Sequence, residues 1–175
     1  MRKNAFACCL ILVVAFGLSA QDKKKSSGKG ILQPQMTVET GSYDKPAGKL
    51  GEKPSAPWSS TTVGAAVDGK ANPAKEATLV GEIVDFSCYL QIGKHGEKHR
   101  SCAQKCFNQG QPIGLLTKDG SLYMLMEEEH DPRRDGLTNF RQVAGEHAGH
   151  IMEVTGTESE HAGYKALYVH GFMKK

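Results

Sequence analysis

Between Gln21 and Glu76 the chain has almost nothing it can bury, and this confines folding to the residues beyond Glu76. The stretch holds five of the seven prolines and nine lysines, with many Gly and Ser residues. Its apolar residues are sparse and follow neither a helical nor a strand period. Such a segment cannot offset the entropy lost in ordering its backbone, so residues 21–76 read as a disordered tether. Trp58, the only tryptophan, falls here in Ala56-Pro57-Trp58 and reads as incidental. The folded unit is then residues 77–173, about 100 residues, enough for one small core.

Ahead of the tether, Arg2 and Lys3 precede an apolar run from Ala5 to Leu18 and the small pair Ser19-Ala20. That order reads as a signal peptide over residues 1–20, and Cys8 and Cys9 leave with it. The run is shorter than the roughly twenty apolar residues of a membrane span, so no stable span is expected after processing. The protein is expected to be exported, periplasmic or extracellular.

Charge narrows the choice of partners. From residue 77 onward the chain carries 13 acidic and 11 basic residues, a balance near −2. The +3 of the whole chain therefore belongs to the signal and the tether. A nucleic-acid binder shows a basic footprint on its folded face, so no nucleic-acid partner is expected.

Within the folded unit, Ala77–Leu90 is rich in Val, Ile and Phe and reads as a long strand, with Gly81 marking a bulge or bend. Pro112–Thr117 and Ser121–Glu127 flank Lys118-Asp119-Gly120 and read as a hairpin. On the second of these strands Tyr123 and Leu125 share one face, while Leu122, Met124 and Met126 share the other. Leu137–Ala144 reads as a short helix closed by Gly145. His150–Glu158 and Tyr164–Met173 read as a last hairpin turning at Gly163. Five strands with a short helix between the third and fourth give a mainly β fold, a small OB-like barrel. A β-sandwich is the alternative.

The blocks "GEIVDFSCYL", "SCAQKC", "GQPIGLL" and "VTGT" resemble a group of small exported bacterial proteins of unassigned function. The resemblance implies an OB-like domain with a cysteine-bearing insertion and no established chemistry.

That insertion carries the chemistry. Cys88, Cys102 and Cys106 fall within nineteen residues, with His95 and His99 between the first two. Three thiols cannot all be used by disulfides within one chain, which calls for a metal, a redox partner or a second chain. Ser101-Cys102-Ala103-Gln104 matches a capping box and Gly110 suits a C-cap, so 102–109 reads as a short helix. Cys102 and Cys106 then share one face with β-carbons about 5–6 Å apart, farther than the 3.5–4.5 Å a disulfide prefers. Nearby Lys98, His99, Arg100 and Lys105, with the helix N-terminus, favour a thiolate at Cys102. Cys88, Cys102 and Cys106 with a nitrogen from His99 or His95 make a set that fits zinc, or copper(I) with fewer ligands. Asp85 is a weaker candidate, since it can simply cap a turn. C-x3-C is also similar to the copper motif of cytochrome-oxidase assembly chaperones, whose thioredoxin-like fold would need a βαβ pattern this chain lacks.

The reading is non-enzymatic copper or zinc handling, with a metal ion or an extracytoplasmic protein as partner. The alternatives are a binding module stapled by a disulfide from Cys88 to Cys102 or Cys106, and a thiol–disulfide oxidoreductase. Glu127-Glu128-Glu129-His130-Asp131 lacks the regular oxygen spacing of a calcium loop and reads as solvated. His147 and His150 read as turn residues, and His161 and His170 receive no role.

Overall fold

The computed structural model describes residues 40–132 and 140–171, all within one compact unit. The signal reading, the first part of the tether, the start of the expected helix at Leu137 and the end of the last strand lie outside the described residues.

The sheet elements are β1 (Lys49–Leu50), β2 (Ala74–Asp85), β3 (Ile113–Thr117), β4 (Leu122–Met126), β5 (Ile151–His161) and β6 (Tyr164–Val169). The helices are α1 (Ser60–Ala65), α2 (Phe86–Ile92), α3 (Arg100–Asn108) and α4 (Phe140–Glu146). β2 is the hub. Its first nine residues pair antiparallel with β5, and Gly81–Asp85 pair antiparallel with β3. β3 and β4 form the expected hairpin, with Gly120 at φ +83 in its turn. β6 then runs parallel to β4 and antiparallel to β5, which closes a five-stranded mixed barrel. With α4 between β4 and β5, this is the OB-like order.

Two glycines permit the closure. A β-carbon at Gly81 would stand 2.7 Å from both the Leu115 side chain and the Leu116 carbonyl oxygen. One at Gly156 would collide with the Tyr168 carbonyl oxygen, a backbone atom that cannot yield. Gly156 is where β5 is held by β2 on one side and β6 on the other.

Ile83, Leu115, Leu125, Met152, Val154 and Leu167 fill the barrel and are essentially sealed from solvent. Tyr123 and Leu125 point inward, while Leu122, Met124 and Met126 line the outer face. Ala103 and Phe107, one turn apart on α3, bury their shared face in the same core as Phe140 and Ala144 of α4. Polar bonds tie the two helices. Gln104 donates to the Gly145 carbonyl at 3.0 Å, and Arg141 donates to the carbonyls of Phe107 and Gln111 at 3.1 and 2.7 Å.

Residues 40–73, expected to belong to the tether, are instead held against the barrel. β1 adds in parallel to β5, placing Lys49 beside Glu153 and Leu50 beside Val154. Leu50 is a core residue. The Trp58 ring meets Tyr168 edge-on at 4.9 Å, and its indole N–H donates to the Asn72 carbonyl. This segment has no burial period of its own because it docks through single anchors on a surface built elsewhere. Among the described residues, no helix is long and apolar enough to cross a membrane.

The first strand is also shorter than expected. It stops at Asp85, whose side chain accepts a hydrogen bond from the Cys88 N–H at 3.0 Å and so caps α2. An N-cap of this kind stabilises a helix by roughly 1 kcal/mol. Here it turns the apolar run Phe86–Ile92 from strand to helix, ended by Gly93 at φ +64.

Candidate metal centre

The cap at Asp85 starts the site. One carboxylate oxygen is used by the Cys88 N–H, which sets Cys88 in the first turn of α2. The other, Oδ2, is buried and has no hydrogen-bond partner among the described residues. Asp85 itself is wholly sealed from solvent.

His99 comes from the far side of the insertion. Gly93–Lys98 loop back to the barrel, held by Glu82 of β2, which accepts from His95 Nδ1 at 3.0 Å and from the Gly96 N–H. A short 3-10 turn, Glu97–His99, then delivers His99 to the start of α3. His99 is 5% exposed, and its Nε2 is a second buried atom without a partner among the described residues. Ligand atoms of Asp85, Cys88 and His99 all lie within 4.8 Å of one another.

Cys106, half-buried on α3, lies beside this group, outside the set of ligand atoms that all fall within 4.8 Å of one another. Its thiol interacts with the Asp85 carboxylate and with the Cys88 thiol. The bond to Asp85, with burial behind it, pushes the Cys106 pKa up to about 12. Burial, and then Asp85, push Cys88 up as well. For Asp85, burial acts upward, but the Cys88 N–H, the two thiols and His99 outweigh it and hold the carboxyl below its ordinary value. Two thiols therefore flank a carboxylate, and a cation there would find one oxygen, the Cys88 sulfur and the His99 nitrogen close together, with the Cys106 sulfur beside the carboxylate.

The residues expected from the sequence thus part company. Cys88 and His99 meet at Asp85, with Cys106 beside them. Cys102 is exposed on α3 but near enough to act electrostatically on Cys88 and Cys106, and the side chain of His95 is half-exposed and turned to Glu82. The three cysteines are free thiols. α3 begins at Arg100 with no side-chain cap, and Gln104 bonds Gly145 instead of closing a capping box. Asp85 carries more weight than its sequence context suggests, although Asp85-Phe86-Ser87-Cys88 has the spacing of an N-cap carboxylate and the amide it binds. No protein-family profile matches the chain, nor does any curated protein or solved structure.

Proposed function

We propose that the protein is an exported, non-enzymatic metal-binding protein that holds one zinc ion on Asp85, Cys88, His99 and Cys106. The observation that carries the reading is the convergence of Asp85, Cys88 and His99, with His99 Nε2 buried and without a hydrogen-bond partner among the described residues. Native proteins rarely leave such atoms unsatisfied unless an ion, a water or a function explains them. Two sulfurs, an imidazole and a carboxylate suit a closed tetrahedral zinc site. Copper(I), which prefers soft ligands, would use the two sulfurs alone. All four candidate ligands lie on the barrel end or on the helices packed there, a rigid setting that suits holding an ion rather than turning over a substrate.

The adjacency of the Cys88 and Cys106 thiols supports a second reading, a disulfide between them that staples α2 to α3. Thiol–disulfide exchange as a catalysed activity is disfavoured, because it needs an accessible thiolate and both thiols are pushed toward their protonated form. Metal content and a free-thiol count on protein purified from an oxidising compartment separate these readings. One zinc per chain with three thiols titrating after chelation supports the metal site. No metal and one free thiol supports the staple and ends the metal reading.

A further inference from the structure

Away from the cysteine insertion, the loop after β4, the end of β6 and the approach to α1 come together. Ligand atoms of Glu128, Asp131 and His170 lie within 4.8 Å of one another. We propose that these three residues form a second cation site, for a divalent ion that takes oxygen and imidazole ligands and no sulfur.

Glu128 supplies the first reason. It is 3% exposed, far from the solvated state its acidic neighbours suggest. Its Oε1 accepts from the Ser59 N–H at 2.7 Å and from the Thr62 hydroxyl. Its Oε2 is buried with no hydrogen-bond partner among the described residues. The protein thus fixes this carboxylate by one oxygen and leaves the other bare, which is costly unless something else satisfies it.

Hydrogen bookkeeping at His170 supplies the second. The Thr157 hydroxyl donates its single hydrogen to the Pro57 carbonyl at 2.7 Å. Its contact with His170 Nε2 at 3.1 Å must then be one in which the hydroxyl oxygen accepts and Nε2–H donates. His170 Nδ1 then faces Asp131 Oδ2 at 3.3 Å, so the imidazole nitrogen and the carboxylate oxygen are aimed at a common point. An ion about 2.1 Å from each atom would see them about 104° apart, a tetrahedral opening. The Nε2–H bond to Thr157 is also the outer-shell support that metal-binding histidines use to fix tautomer and ring orientation.

Space supplies the third. A cavity of about 220 Å³ adjoins the cluster, lined among others by Pro54, Ala56, Ser59, Glu128, Asp131 and His170. It has room for waters to complete a coordination shell. Two carboxylates with one imidazole suit Mn2+, whereas the thiol-bearing site selects softer ions. Mn2+ therefore reports on this cluster separately from the other.

The test is a Mn2+ titration of the chelator-stripped full chain, with free Mn2+ read from its electron paramagnetic resonance signal. One Mn2+ should bind per chain, and the C88S/C106S double variant should bind it equally well. Asp131→Asn and Glu128→Gln, each confirmed folded by near-ultraviolet circular dichroism, should each weaken binding at least about tenfold. Asp131 is the less buried of the two, so its variant keeps the test usable if E128Q does not fold. A wild-type chain that leaves all Mn2+ free, with His170 and Asp131 then a simple ion pair, overturns the proposal. So does a folded D131N variant that binds as tightly as wild type.

Discussion

The thiol cluster and the carboxylate cluster are built from opposite kinds of contact. Asp85, Cys88, His99 and Cys106 come from one short insertion, aimed by a helix cap, a looped turn and a helix packed on the barrel end. Glu128, Asp131 and His170 are aimed by residues distant in sequence: Ser59 lies 69 residues from Glu128, and Pro57 lies 100 from Thr157. A local site survives as long as the barrel does. A site assembled from distant segments survives only while each segment stays docked. The segment at residues 40–73, without periodic apolar content of its own, is thus what the second cluster depends on, whereas the residues of the first are aimed from 82–106.

The largest expected effect comes from that dependence. A chain starting at Ala74 loses Leu50 from the core, the Trp58–Tyr168 contact and the Ser59 bond to Glu128. Burying one Leu and one aromatic side chain contributes about 1.5–3 kcal/mol each. The deletion should therefore cost at least about 3 kcal/mol, a fall of roughly 12 °C or more in Tm for a domain of this size. A chain starting at Thr40 keeps these contacts and should melt with the full chain. If the Ala74 chain melted like the full chain, the segment would be a tether after all and the contrast between the clusters would fail.

Side-chain substitutions sharpen the contrast from the other side. Cys88→Ser, His99→Gln and Cys106→Ser should each lower zinc affinity about 100-fold or more, beyond the 10–100-fold that outer-shell partners cost. Cys102→Ser and His95→Gln should change it no more than about threefold, because the Cys102 thiol is exposed and the His95 ring serves Glu82. Competition against a chelator of known affinity measures all five. Equal losses at Cys102 and Cys106 would return the site to a three-sulfur set.

The smallest effect is on the pH dependence of apo-protein stability. Burial first, with Arg100 nearby, lowers the pKa of His150, and burial likewise lowers His147. The folded state then resists protons that the unfolded chain accepts, so stability should fall as pH drops below about 6.5. Cys106 acts at the other end. Its folded pKa of about 12 exceeds that of a free thiol, so its contribution is whole below about pH 9 and is lost as pH rises toward 12. Asp85, held low, adds stability that disappears only as pH falls through the carboxylate range. Urea midpoints at pH 5.5, 7 and 10 should peak in the middle, and His147→Gln should flatten the acid side.

The residues make legible whatever local chemistry decides. The hairpin at Lys118-Asp119-Gly120 comes from its turn, and the alternation of Tyr123 and Leu125 marks the inward face. The five-stranded order comes from turn spacing. Strand β2 reads too long because Phe86–Leu90 is as apolar as a strand, and the cap at Asp85, a single hydrogen bond, decides otherwise. β1 escapes notice because two residues carry no period, and Leu50 alone makes the core contact. Glu128 looks solvated because its partners, Ser59 and Thr62, lie far back in a segment with no visible reason to fold. His99 is legible as a candidate, but its meeting with Asp85 requires α2 and α3 to fold back on each other, which spacing alone does not encode.

The ligand set proposed at Asp85 is open to direct measurement. Zinc-edge X-ray absorption on the full chain loaded with one equivalent of zinc counts the sulfurs without perturbing the protein. The proposed ligand set predicts two sulfurs at about 2.3 Å and two nitrogen or oxygen ligands at about 2.0–2.2 Å. A shell with no sulfur, or with three, would contradict it.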